Sequence, residues 1–433
     1  MPSFDTRIPA VLVRLDRNPF HHGTLGAARS LGRAGIPVHA VLESLTSPAA
    51  RSRYVHGVHL RPDPTSPDDE ADALARRLVQ LADEVQAPAL LVPLDDISAL
   101  ALAAHRTELT GRYLLPDQPS EQLVRVADKA ELAETCRALS LPHPRTEIPT
   151  SADEAAAMAW SLGLPVVTKW SRPWLLPPGT GLRSTSIARS LAEVRELFAR
   201  TGEAGSRLLL QSLLPPGRDL DWFCHGYADS TGGCPVRATG LKERSWPDGA
   251  GLTAVGRWAA NPVVERMAGD LIAALGYRGV FDLDFRLDRS TGAYHLLDFN
   301  PRPGAQFRLF ADGDGLDVVR AMHLDLTGRP VPAHTPAYGR RFVVENYAAL
   351  SLLASPRRRY TAEPGASRAG TETAWFAADD PVPALSMARA WLLHALRKGL
   401  VTLRRLFRSG RPRAATVVSP PAARTPSSQM NRR

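Results

Sequence analysis

Lysine is scarce in this chain. Of 53 Lys and Arg residues in 433 positions, only Lys129, Lys169, Lys242 and Lys398 are lysines. Where arginine serves almost everywhere else, a lysine marks a place that calls for a compact point charge rather than a guanidinium fork. Cysteine is also rare. Cys136, Cys224 and Cys234 form no CxxC pair and no disulfide framework, so they are expected to be buried thiols in a reducing compartment. No Ser–His–Asp or Cys–His signature suggests a protein nucleophile. No GxGxxG follows the first strand, only Gly23 and Gly26, which argues against a dinucleotide site. The apolar run near the start is about five residues long and is broken by Arg14 and Asp16, too short for a signal peptide or a span. The expected location is therefore cytoplasmic. Acidic residues are absent after Asp380, so the net charge of +9 is made up of +11 in residues 381–433 and −2 in the rest. The basic character belongs to a tail, and no nucleic-acid-binding surface is expected over the fold.

What is present reads as α/β. "AVLVRL" (10–15), "TLGAARSLGRAG" (24–35) and "IPVHAVLE" (36–43) form a βαβ unit, and helix 68–85, strand 89–94 and helix 96–108 repeat it. This predicts a Rossmann-like N-terminal domain over 1–115. Ligands of such sheets bind at the carboxyl edge, where His21, His22, Asp95 and Asp96 fall, although each is individually an ordinary loop residue. From 116 the texture changes. "PSEQLVRVADKAELAETCRALSL" reads as helix, 164–169, 207–212 and 219–227 as strands, and 262–275 as helix. Strands 279–287 and 293–300 are joined by the turn "DRSTG".

The chemistry gathers at "YHLLDFNPRPG" (294–304). Side chains alternate on a strand, so Asp298 and Asn300 share one face, and Asp282 and Asp284 do the same on the neighbouring strand. Carboxylates and an amide brought together this way repel one another unless a hard cation sits among them, and Mg²⁺ suits oxygen donors shared with phosphate. Mn²⁺ would substitute. Arg302 adds a fork for phosphate or carboxylate. The plainer reading is that Asp298 and Asn300 cap a turn ahead of Pro-Arg-Pro-Gly.

Asp284 followed by Asp298–Phe299–Asn300–Pro301–Arg302 resembles the closing motif of the ATP-grasp superfamily. The chain is similar to that group's predicted carboxylate–amine ligases over about residues 10–330, with "DKAELAETCRALSLPHPRT" and "GLPVVTKWS" as further landmarks. Both acids are Asp where the family usually has Glu. The resemblance implies a two-lobed ATP-grasp domain over 116–335, with metal ligands Asp284, Asp298 and Asn300. Lys129 and Lys169 would contact phosphate. Lys242, Arg244 and Arg302 would meet the γ-phosphate or the acyl intermediate. Gln211, Ser212, Leu213 and Leu214 would form the hinge against adenine, with Asp219 at the ribose. Gly179 and Gly181 would lie in a lid. The implied reaction uses ATP and Mg²⁺ to activate a small-molecule carboxylate as an acyl phosphate, which an amine then captures. Two rivals keep the fold: delivery to a thiol or simple phosphoryl transfer, and a non-catalytic ATP-binding regulator.

Residues 336–383 read as a C-terminal extension. A basic amphipathic helix is expected over 384–410, with Leu385, Leu392, Leu393, Leu396, Leu400, Leu403 and Phe407 on one stripe. It would either dock on the body of the protein or rest, through 384–408, on an anionic membrane at the inner face. Residues 411–433 read as a disordered tail.

Overall fold

The computed structural model describes residues 2–16, 18–62, 69–85, 88–247, 251–354 and 370–409. Within the last helix it describes side chains as far as His394, and at Leu396. The chain divides into two units, Met1–Met387 and Ala388–Arg433.

Three sheets organise the first unit. The N-terminal sheet holds β1 (Ala10–Val13), β2 (Val38–Leu42), β3 (Gly57–Leu60), β4 (Ala89–Pro93) and β5 (Tyr113–Leu114), in the order β3-β2-β1-β4-β5. All its pairs are parallel. β1 is apolar and completely buried because crossover helices such as His22–Arg33 and Glu70–Val85 cover a parallel sheet. The chain leaves β1 toward β2 on one side and returns to β4 on the other. A crevice at the carboxyl ends of β1 and β4 results.

A four-stranded antiparallel sheet follows, made of β6 (Thr146–Glu147), β7 (Val166–Trp170), β8 (Thr185–Ala188) and β9 (Leu208–Ser212), in the order β6-β9-β7-β8. Helices Ala152–Leu162 and Leu191–Ala199 supply Ala155, Ala159 and Val194 to its core.

The third sheet has seven strands: β10 (Asp221–Ala228), β11 (Val236–Trp246), β12 (Leu252–Trp258), β13 (Gly279–Leu287), β14 (Tyr294–Asn300), β15 (Arg341–Val343) and β16 (Thr371–Thr373). Their order is β14-β13-β10-β11-β12-β15-β16. Residues after 335 thus extend this sheet. Helix Pro262–Leu275 packs Val264, Ala268, Leu271 and Ile272 against Phe281, Leu283 and Phe299.

Three expectations need correction. The single helix after 116 is two, Ser120–Ala127 and Lys129–Ala138, because buried Asp128 leaves the helical conformation and caps the second. Helix 96–108 breaks at His105 into Asp96–Ala104 and Arg106–Leu109. β11 and β12 were not read, since Gly and Pro between them mask the pairing. Helix Val382–Ser409 begins in the first unit and continues into the second. Leu385, Leu392, Leu393 and Leu396 on this helix are exposed. Leu400, Leu403, Phe407 and the basic residues beyond Leu396 lie outside the described side chains, and the expected disordered tail lies outside the described residues.

Candidate active site

β13 and β14 are antiparallel neighbours in a register that sets Asp282 opposite Asn300 and Asp284 opposite Asp298. A bulge follows, because Phe285 pairs with Leu296 and Leu297 is left as the extra residue. The freed Leu297 carbonyl accepts from Lys169 Nζ at 2.8 Å. Lys129 Nζ forms an ion pair with Asp298, and Lys242 Nζ lies 3.4 Å from Asp284 Oδ1. Three of the four lysines therefore converge on this hairpin.

The electrostatics follow from burial opposed by charge. Burial pushes Asp284 up, and neighbouring Asp282 and Asp298 add to this while Lys242 opposes it. Burial also pulls Lys169 below the ordinary lysine range, with the Asp298 charge partly restoring it. For Lys242 burial is outweighed by Asp284, Asp221 and Asp282, and its ammonium titrates above its usual value. Asp282 is buried too, yet His225, Arg302 and Lys242 hold it down at about 2.

Local structure fixes the lysines. Lys129 opens its helix just after Asp128, whose carboxylate accepts from the Ala130 and Glu131 amides, from Ser171 Oγ and from Arg172 Nε at 2.8 Å. The Lys129 amide donates to the Ser171 carbonyl at 2.8 Å. Ser171 directly follows β7, which carries Lys169, so Asp128 fastens the segments that carry Lys129 and Lys169 to each other. A cleft beside them is lined by Lys129, His143, Lys169, Leu209, Gln211 and Leu296. It lies between β7 and β9 of the second sheet and β14 of the third.

The remaining expectations divide. Gln211 lines the cleft, but its side chain donates to Thr146 Oγ1 at 2.9 Å and its backbone lies in the sheet between Thr146 and Val167. The Ser212 amide is taken by the Arg145 carbonyl at 2.9 Å, and the Leu214 carbonyl by Arg286 at 3.1 Å. Ser212, Leu213, Leu214 and Asp219 do not line the cleft. Asp219 sits on an exposed turn with φ +61°, 3.2 Å from Arg218. Gly179 and Gly181 have φ of +84° and +75° in an exposed loop. Arg244 is buried against Ser351 of helix Glu345–Ala354, because a bulge between Lys242 and Arg244 breaks the alternation that would have put both on one face.

At the crevice of the first sheet, Asp96 lies 3.3 Å from Arg302 Nε, which joins that sheet to the hairpin. Asp95 has a structural task. It caps helix Asp96–Ala104 and accepts from the Leu15 and Asp16 amides at 2.7 and 2.8 Å, so both its oxygens are occupied. His21 caps the first helix through the Thr24 amide, and burial followed by the Arg14, His22 and Arg302 charges keeps it well below the usual range. His22 is packed among Phe342, Tyr347 and Trp375, and burial lowers it to about 4. Sequence reasoning missed Asp128, His143 and His225. An acid immediately before a rare lysine was the one available signal, whereas a histidine in an apolar strand looks like core.

The donor set fits a hard cation. Two adjacent carboxylates and an amide oxygen share one face, and in the protein alone two lysine ammonium groups neutralise the carboxylates. Among the described residues, no group of three or more His, Cys, Asp or Glu is already arranged to hold a metal. Nucleotide phosphate and Asn300 would have to complete the shell.

No family model matches the chain. Its likeness to solved structures establishes the class of fold, ATP-grasp. N5-carboxyaminoimidazole synthetase from Staphylococcus aureus superposes with a TM-score of 0.57 at 14% identity, over 77% of this chain and 80% of that one. The biotin carboxylase domain of Hydrogenobacter thermophilus 2-oxoglutarate carboxylase, solved with MgADP, ADP and bicarbonate, gives 0.56 at 19% identity over 74% and 70%. Among curated proteins, D-aspartate ligase of Enterococcus faecium is 22% identical over 240 residues, 53% of this chain and 57% of that protein. The N-terminal section of the Methanopyrus kandleri carbamoyl phosphate synthase large chain is 25% identical over 210 residues, 46% and 36% respectively. The chain thus spans between about a third and somewhat over half of the curated relatives it matches.

Proposed function

We propose that the protein is an ATP- and Mg²⁺-dependent ligase that activates a substrate carboxylate as an acyl phosphate and couples it to an amine, with release of ADP and phosphate. The observation that carries this is the meeting of Lys129, Lys169, Lys242 and Arg302 with Asp284, Asp298 and Asn300 on one hairpin. Asp284, Asp298 and Asn300 would hold Mg²⁺, which supplies charge neutralisation at the phosphates. Lys129 and Lys169 would bind and orient the phosphates beside the cleft that takes the base. Lys242 and Arg302 would hold the anionic oxygens as a carboxylate oxygen attacks the γ-phosphorus and the bond to ADP breaks. The amine nitrogen then attacks the acyl carbon, phosphate leaves and the nitrogen loses a proton. No protein nucleophile takes part. The D-aspartate ligase and bicarbonate-bound carboxylase among the similar proteins support small carboxylates and amino acids as the first substrates to try.

The domain division proposed is a Rossmann-like part over 1–115 and an ATP-grasp part over 116–335; the first boundary is supported by the grouping of the sheets, whereas β15 and β16 carry the third sheet past 335. The helix from 384 to 408 is proposed to contact anionic membrane. No described helix is long and apolar enough to cross one. Liposome sedimentation with and without residues 381–433 tests this, and equal sedimentation would sink it.

The test of the activity is ADP release across pairs of carboxylates and amines, with Asn300→Ala as the control. Turnover that needs both partners supports the ligase. Nucleotide binding that no pair converts into turnover would favour the regulatory ATP-binding protein instead.

A further inference from the structure

Arg302 is held from two directions. Its Nε lies 3.3 Å from Asp96 Oδ1 at the crevice of the first sheet, and its Nη1 donates to Asp282 Oδ2 at 3.0 Å on β13. Nη1 also donates to the Pro303 carbonyl at 3.3 Å. Nη2 makes no hydrogen bond among the described residues. Two edges of the fork are anchored, and one nitrogen is left for a ligand.

Asp282 is anchored in turn. His225 stands opposite it across the β10–β13 ladder, with Nε2 3.0 Å from Asp282 Oδ1. On the other side Asn300 Nδ2 donates to the Asp282 carbonyl at 3.3 Å and to Oδ2 at 3.4 Å. A carboxylate turns easily about its last torsion. With Oδ1 set against the imidazole at ion-pair distance, although the contact falls outside hydrogen-bond geometry, Oδ2 stays on Arg302.

The imidazole itself has nowhere to go. His225 is completely buried, with ring centroids 5.3 Å from Phe223 and 5.1 Å from Phe310. The turn after Arg302 closes the remaining side. A Cβ on Gly304 would come within 2.4 Å of His225 Cε1 and 2.7 Å of Asp282 Oδ2. Phenylalanine would fill this space as well as histidine. Burying an imidazole among aromatics carries a desolvation cost unless the ring finds a partner, and the partner within reach is Asp282.

We infer that His225 is a positioning residue: through Asp282 it fixes the Arg302 fork so that Nη2 meets the substrate carboxylate or the acyl phosphate formed from it. This rests on the role proposed above for Arg302. His225 touches no substrate. It stands at the end of a chain that runs from Asp96 through Arg302 and Asp282.

The test reads the fork directly in the full-length protein. Nitrogen-15 spectra resolve the Arg302 Nη1 and Nη2 signals when rotation of the guanidinium is slow, and Arg302→Lys assigns them by their loss. His225→Phe keeps the volume and removes the polar contact on Asp282 Oδ1, so rotation of the guanidinium should accelerate and the two signals should merge. His225→Gln, whose amide can reach the same oxygen, should restore them. Gly304→Ala presses on the pair from the opposite side and should merge them by an independent route, which keeps the test available if His225→Phe does not fold. Calorimetric affinity for MgADP should change less than about twofold in these variants. Separate Nη signals that persist in both His225→Phe and Gly304→Ala would overturn the inference, as would a parallel loss of MgADP affinity. Failure of the wild-type protein to bind MgADP would count against the ligase reading alone, because the Arg302 signals are recorded without nucleotide.

Discussion

The β13–β14 hairpin and the loop between the turn Pro173–Leu175 and β8 are built on opposite terms. In the hairpin each of three carboxylates has a partner brought in by another part of the fold: Asp298 with Lys129, Asp284 with Lys242, and Asp282 with His225 and Arg302. In the loop, Gly179 and Gly181 hold left-handed φ values, and nothing lies within 4 Å of where a Cβ would stand on either. One region is preorganised by charge and packing, whereas the other is defined by backbone freedom. Substitutions in the hairpin should therefore remove chemistry at little cost in conformation, and substitutions in the loop should do the reverse.

The largest break is expected from Asn300→Ala, which removes an oxygen donor from the cation site and the brace on Asp282. ADP release should fall by about 100-fold or more, with melting temperature nearly kept. A fall smaller than about threefold would mean the amide is only a turn cap. Next is Lys169→Met, which keeps the stem but leaves the Leu297 carbonyl and Asp298 without the ammonium. Calorimetry should show nucleotide affinity weakened by about tenfold or more. In the loop, Gly181→Val should cost about 1 kcal/mol of stability, from the left-handed φ, and slow turnover only severalfold. A loss as large as that of Asn300→Ala would erase the contrast between the two regions.

The last effect lies outside both and bears on stability alone, leaving activity at neutral pH unchanged. His22 has its folded pKa depressed to about 4 against an unfolded value of 6.5. Between those values the unfolded chain binds the extra proton, so stability contributed by neutral His22 is complete above about pH 6.5 and is lost as pH falls toward 4. The loss approaches about 3 kcal/mol. His22→Phe should flatten denaturation midpoints measured across that window, and an unchanged slope would assign the dependence to other groups.

The hairpin was legible because strand alternation and a short polar turn fix which residues share a face. That Asp284 stands opposite Asp298 and Asp282 opposite Asn300 depends as well on the bulge at Leu297, which shifts the register by one residue and which alternation does not announce. Lys129 and Lys169 were legible as scarce residues beside the motif. What was hidden depends on tertiary bonds. The helix break at Asp128 is set by Ser171 and Arg172, some forty positions away. The orientation of Arg244 is set by a bulge, which periodicity does not announce. Gln211 was placed at the cleft, but its side chain is claimed by Thr146. Asp95 and Asp96 looked alike in the sequence, yet one caps a helix and the other pairs with Arg302.

The central claim is that the paired aspartates hold a divalent ion together with nucleotide, even though each is one methylene shorter than glutamate. Electron paramagnetic resonance of Mn²⁺ titrated into the protein with and without ADP tests it most directly. The account predicts Mn²⁺ binding that strengthens with ADP in the wild-type protein and is lost in Asp284→Asn and in Asp298→Asn. Mn²⁺ binding that is indifferent to ADP, or unchanged in both variants, would contradict it.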